Sequence, residues 1–192
     1  MGTSNRDKVR ELREILAGLP WEICSLADLA PVPEPEEAGA TFEENALLKA
    51  RYYASHFSMA CVADDSGLEV DALGGAPGVR SARYAGEGCS YSDNNEKLLD
   101  ALAEMSWPER LARFVCCAAF AAQDGSTHVV RGTVEGRIAA ESFGENGFGY
   151  DPVFVPSGHE CTFAEMSARE KHAISHRGRA FRELRAWLET RS

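Results

Sequence analysis

Nine consecutive residues, Phe114 to Ala122, contain no polar side chain apart from the thiols of Cys116 and Cys117. A strand presents successive side chains to opposite faces, so a run that is apolar at every position must be covered on both. The chain then turns at Asp124-Gly125 and resumes as Thr127 to Glu135. Asp-Gly between two strand-like runs is a strong short-range hairpin signal. Arg113 to Ala122 and Thr127 to Glu135 are therefore expected to be paired strands inside a layered molecule.

The covering layers are legible as apolar stripes at helical spacing. Val9, Leu12, Ile15 and Leu16 mark a helix from about Arg6 to Ala17. Phe42, Ala46, Leu47, Ala50, Tyr53 and Ala54 mark one from Thr41 to Phe57. Leu98, Leu99 and Leu102 mark one from about Ser92 to Met105, and Phe181, Leu184, Trp187 and Leu188 one from about Arg177 to Thr190. Trp21 to Leu26 and Met59 to Ala63 read as short strands, Pro31 to Glu37 and Gly144 to Pro156 as loops. Strands interleaved with helices, plus one hairpin, predict an α/β fold: a mixed sheet with helices on its faces.

Composition narrows the function classes. The 192 residues are 44% hydrophobic and 26% charged, as in a globular protein. No window approaches the roughly 18 apolar residues of a membrane-spanning helix, and the start carries no signal-peptide pattern. A cytoplasmic protein is the expectation. The net charge of −10 and the lack of a basic run argue against nucleic-acid binding. They leave room for a nucleotide, because a few pocket cations and a divalent metal reverse the local field. Six cysteines show neither a C-x-x-C pair nor zinc-ligand spacing, which fits reduced thiols.

Chemistry-bearing residues cluster in five places. Val62-Ala63-Asp64-Asp65-Ser66-Gly67 reads as a strand delivering two acids into a glycine-rich turn. Alternation sends Asp64 and Asp65 to opposite faces, so one should meet a ligand and the other brace the turn. Thr3-Ser4-Asn5 leads into the first helix with Lys8 one turn in, which is either an anion site or an ordinary cap with a solvated lysine. Thr41-Phe42-Glu43-Glu44 fits a capping box, against which a metal-binding role for Glu44 must be weighed. Phe148-Gly149-Tyr150-Asp151 offers aromatic faces and an acid suited to a nucleobase, or a core-packed Asx turn. Lys171, His176 and Arg177 can donate to a base carbonyl, with Ser175 a natural cap for the last helix.

Together these segments resemble the inosine triphosphate pyrophosphatase, or Ham1-like, family, in the family's order along essentially the whole chain. Thr41 to Ala46 with Lys49-Ala50, Gly74 to Gly78, Ser81 to Tyr84, Gly147 to Pro152 and Ser175 to Gly178 complete the match. The resemblance implies hydrolysis of deaminated purine triphosphates (ITP, dITP, XTP) to the monophosphate and pyrophosphate with Mg²⁺. It implies that Thr3, Ser4, Asn5 and Lys8 cradle the phosphates. Glu44 and Asp65 would hold the metal, with Asp65 also the catalytic base. Ser66 would touch substrate, Phe148 would stack on the base with Gly149, Tyr150 and Asp151 completing that wall, and Lys171, His176 and Arg177 would read the purine edge. It further implies a homodimer of elongated two-lobed subunits, each a single domain over residues 1–192 with the nucleotide in a central cleft.

Family members place a buried apolar strand before the Thr-x-Asn turn, where this chain has Met1 and Gly2. A late start or a lost strand is expected to leave the phosphate loop weakly held. The alternatives are a Maf-like pyrophosphatase for other modified nucleotides, and a nucleotide-binding protein that no longer turns over.

Overall fold

A computed structural model describes residues 1–2 and 6–191, leaving out the side chains of Arg6, Asp7, Arg10 and Glu11. In chain order its main elements are α1 (Arg6–Ile15), α2 (Phe42–Phe57), β1 (Cys61–Val70), α3 (Tyr91–Ala101), β2 (Leu111–Ala121), β3 (Thr127–Ile138), β4 (Phe154–Pro156), α4 (Ala168–Ile174) and α5 (His176–Glu189). The strands hydrogen-bond in the order β1-β2-β3-β4. The β2–β3 turn is closed by the Ser126 carbonyl, which accepts from Ala122 N–H at 3.0 Å. A link that short joins antiparallel neighbours. β3 and β4 are also antiparallel, with Gly136 opposite Pro156 and Ile138 opposite Phe154. The α/β class expected from the sequence is the one observed.

The described chain divides into two compact units, one of Met1–Asp65, Cys116–Gly132 and Arg177–Ser192, the other of Ser66–Val115 and Thr133–His176. The first has its core where α1, β2 and α5 contribute Leu12, Phe120, Phe181 and Leu184, positions the sequence marks as apolar in all three elements. From Phe114 to Ala121 every residue of β2 is buried, as a run without polar groups requires. The second unit packs Leu68, Leu98, Phe114, Ile138, Phe154 and Phe163 together. Each such side chain is worth roughly 1.5–3 kcal/mol of burial.

α2 begins as its sequence dictates: Thr41 caps it, its side chain accepting from Glu44 N–H at 3.1 Å. Other boundaries differ from expectation for identifiable reasons. Trp21 to Leu26 is not a strand. Its Cys24 carbonyl takes one bond, from the Met1 ammonium at 2.7 Å, and one bond is no ladder. The acids at 64 and 65 do not end in a turn, because β1 runs on through Ser66 and Gly67 to Val70. Ser175, which directly precedes α5, also closes α4, its N–H donating to the Lys171 carbonyl at 2.8 Å. The loop expected up to Pro156 instead ends in β4. No helix among the described residues is long and apolar enough to cross a membrane, and the six cysteines form no disulfide.

Candidate active site

In the first unit, β1 carries Asp64 and Asp65 side by side, and alternation gives them separate partners. Asp64 is 2% exposed. Its Oδ2 lies 2.9 Å from Lys8 Nζ and 3.5 Å from Arg177 Nε, with Cys116 Sγ at 3.9 Å. Burial pushes this carboxyl up, but the Lys8, Arg177 and Lys49 cations outweigh it and hold it well below the usual carboxylate range. A carboxylate so paired is an anchor for cations.

Asp65 meets α2. Its Oδ1 accepts from Lys49 Nζ at 2.9 Å and its Oδ2 from Asn45 Nδ2 at 3.3 Å. Here burial dominates and raises the carboxyl; Lys49 pulls it down, and Glu37 adds to the rise. Lys49 also bonds Glu37 Oε1 at 2.8 Å. Burial lowers its ammonium, yet Asp65, Asp64 and Glu37 together leave it raised and firmly charged. Asn45 is 1% exposed, and its Oδ1 takes Gly39 N–H at 2.8 Å, tying the preceding loop to the same group. A carboxylate with its proton affinity raised and its oxygens fixed in place is suited to general-base work.

Glu44 is exposed at the start of α2, its Oε2 accepting Ala40 N–H at 2.7 Å, one residue before the Thr41 N–H that the expected capping box would use. Cap and ligand are compatible roles, since a carboxylate has two oxygens. No group of three His, Cys, Asp or Glu suited to a metal occurs among the described residues. Mg²⁺ needs no such group: one or two carboxylates plus substrate phosphates is its usual protein environment. The hard oxygens of Asp65 and Glu44 fit that ion. Thr3, Ser4 and Asn5 lie outside the described residues. Ser66 follows in β1 of the second unit, half-buried.

The second unit holds the aromatic loop. Asp151, 2% exposed, folds back so that its Oδ2 accepts Phe148 N–H at 2.8 Å and Lys171 Nζ at 2.5 Å. Gly147 (φ +75°) makes this possible, because a Cβ there would run into the Asp151 carboxylate. Lys171 is the fourth residue of α4, whose start is set by a Ser167–Glu170 capping box. Its ammonium sits 4.9 Å from the centroid of the half-buried Phe148 ring, and the Tyr91 ring flanks Phe148 at 6.2 Å. Phe148, Asp151 and Lys171 thus come together as expected residues of one group.

Three others take different places. Tyr150 is 4% exposed and its hydroxyl donates to the Ser81 carbonyl at 2.9 Å, so its ring supports the loop from within instead of completing an open wall. His176 is buried with its ring parallel to Phe114 at 4.6 Å. Arg177 lies in the first unit against Asp64. Lys49, Asn45 and Glu37 had no assigned role from sequence. The signal was available for two of them: Asn45 and Lys49 are one helical turn apart and so share a face.

The profile of the Ham1 family matches residues 1–187. A dITP/XTP pyrophosphatase of Exiguobacterium sibiricum is 50% identical over 99% of this chain and 96% of its own. Among solved structures, the Staphylococcus aureus Ham1 protein superposes with a TM-score of 0.90 at 42% identity, covering 100% of this chain and 97% of that one. A HAM1 protein from Coxiella burnetii gives 0.91 at 40% identity, covering 98% and 96%.

Proposed function

Because the chain belongs to the Ham1 family, we propose that it hydrolyses deaminated purine nucleoside triphosphates, dITP, XTP and ITP, to the monophosphate and pyrophosphate. The observation that carries this reading is the 50% identity, along 99% of the chain, to a protein named for that activity.

The reaction is attack of water on the α-phosphorus: a new P–O bond forms as the bond to the bridging oxygen breaks, and pyrophosphate leaves. Asp65 takes the water's proton, with Lys49 and Asn45 fixing its two oxygens. Lys8, with Thr3, Ser4 and Asn5, binds the phosphates, and Asp64 holds Lys8 in place. Glu44 and Asp65 are the residues to hold Mg²⁺, which when bound neutralises charge on the phosphate oxygens. Ser66 contacts the substrate. The base stacks on Phe148, whose loop Gly149, Tyr150 and Asp151 shape. Lys171, His176 and Arg177 serve recognition of the purine, Lys171 directly and Arg177 together with Asp64. A 6-keto oxygen accepts from such donors, whereas the 6-amino group of adenine leaves them unmet at about 1–3 kcal/mol each.

The same reading makes it a cytoplasmic homodimer, and sedimentation at twice the 20.9 kDa chain mass checks the dimer. The activity test is pyrophosphate release from ITP, XTP, GTP and ATP, with Mg²⁺ and with EDTA. Metal-dependent release favouring ITP and XTP is expected. Equal turnover of ATP, or none of any nucleotide, overturns the reading.

A further inference from the structure

Helix α3 points two neighbouring asparagines to different tasks. Asn94 is fully used on one segment: its Oδ1 accepts Ala85 N–H at 2.7 Å and its Nδ2 donates to the Ala82 carbonyl at 3.2 Å. The side chain of Asn95, 6% exposed, makes one hydrogen bond among the described residues, from Nδ2 to the Gly149 carbonyl at 3.0 Å. Its Oδ1 is buried without a hydrogen-bond partner there. A residue needed only for packing would be apolar at such a place, since an unmet buried acceptor is costly. The Gly149 bond is what offsets that cost.

That bond fixes a peptide plane. Gly149 has a φ of +66° and nothing within 4 Å of where a Cβ would stand, and glycine's own torsions restrain the Gly149–Tyr150 peptide less than any other residue's would, so the Asn95 bond is a restraint on how it is turned. The peptide is trans, so with its carbonyl turned to Asn95 its N–H must face the other way. Among the described residues no group accepts from the Tyr150 N–H, and backbone donors of folded chains rarely stay unmet. Two residues before Tyr150 is Phe148, and one turn back along α3 from Asn95 is Tyr91, whose ring flanks that of Phe148.

We infer that Asn95 is a positioning residue for base discrimination: by holding the Gly149 carbonyl it presents the Tyr150 N–H as a donor to the keto oxygen of the bound base. This rests on the reading that the base stacks at Phe148. Asn95 touches no substrate itself; it acts through the peptide.

The test compares ITP with purine riboside triphosphate, which has the same ring and phosphates but hydrogen in place of the keto oxygen. Two variants serve, Asn95→Leu, which removes the donor, and the isosteric Asn95→Asp, which sets a carboxylate against the carbonyl. In both, KM for ITP rises about tenfold or more, with kcat within about twofold, as losing one well-placed hydrogen bond demands. KM for purine riboside triphosphate stays within about twofold. Equal losses on both nucleotides mean a merely structural role and overturn the inference. Phe148→Ala, run in parallel, separates the premise: it raises KM for both nucleotides if the base stacks there. If it changes neither, the reading of the base site fails; if it does so and the Asn95 variants leave the ratio unchanged, only the role of Asn95 fails. Unmodified protein gives an independent measurement should the variants misfold. The Tyr150 amide proton should move downfield in NMR with inosine monophosphate and not with purine riboside monophosphate; equal shifts overturn the inference.

Discussion

The two groups of site residues are held by different means. Around Asp64 and Asp65, side chain holds side chain, and charge holds charge: Lys8 and Arg177 on one carboxylate, Lys49 on the other. In the 147–151 loop, side chains hold the main chain instead. Asp151 takes the Phe148 N–H, Asn95 gives to the Gly149 carbonyl, and Tyr150 gives to the Ser81 carbonyl. The first arrangement fixes a field, and suits chemistry in which charge develops on phosphate oxygens. The second fixes a shape, and suits recognition of a flat ring whose size and edge must be checked. Removing a charge at constant volume should therefore injure the first group severely, while the loop should feel the loss of single hydrogen bonds in modest steps.

The largest effect is expected at Asp65. Asp65→Asn keeps the volume and the contact with Lys49 but removes the base, so kcat should fall about 10²- to 10⁴-fold while the melting temperature moves by only a few degrees. Near-normal pyrophosphate release from that variant would end the proposed mechanism. Asp64→Asn should instead show itself in stability. It takes the Asp64 charge away from the part-buried Lys8 and the buried Arg177, at about 3–5 kcal/mol, read as a shift of the urea unfolding midpoint.

The acid behaviour of the same residue sharpens the contrast. Asp64 is held below its unfolded value near 3.9. Its stabilisation is therefore complete above about pH 4 and drains away as pH falls below that, when the unfolded chain takes up protons that the folded one refuses. The urea midpoint of the parent should drop through this acid range, and that of Asp64→Asn should drop less steeply. Parallel curves would show the pairing to be unimportant. The smallest effect belongs to the loop: Tyr150→Phe removes one buried hydrogen bond to Ser81, costing about 1 kcal/mol of stability with kcat near the parent value. A thousandfold loss of kcat there would break the distinction between field and shape.

Much of this was legible in the residues themselves. The unbroken apolar run at 114–121, the Asp124-Gly125 turn and the Thr41 cap each have one strong physical reading, and each appears as read. The opposite placement of Asp64 and Asp65 follows from strand alternation alone. What failed were places where local chemistry was outvoted. Ser66-Gly67 has turn composition, yet β1 continues because Leu68 and Val70 are fully buried in the second core. α4 is only seven residues long, too short for an apolar stripe, though its Ser167-x-x-Glu170 cap was there to be seen. β4 is three residues among glycines and prolines. Neither Glu37 nor the pairing of Arg177 with Asp64, 113 positions away, carries any mark in the sequence. Long-range ion pairs leave no local trace.

The adjacency of Asp64 and Asp65 also restricts how chains of this kind can diverge. Adding or deleting one residue just before them in β1 would exchange their faces, handing the proton-accepting place to a carboxylate shaped for anchoring and the reverse. Point replacements along the strand disturb one neighbour at a time, and length changes of two keep the alternation. Natural variation through this stretch should therefore consist of replacements at constant length, with gaps confined to the loops on either side.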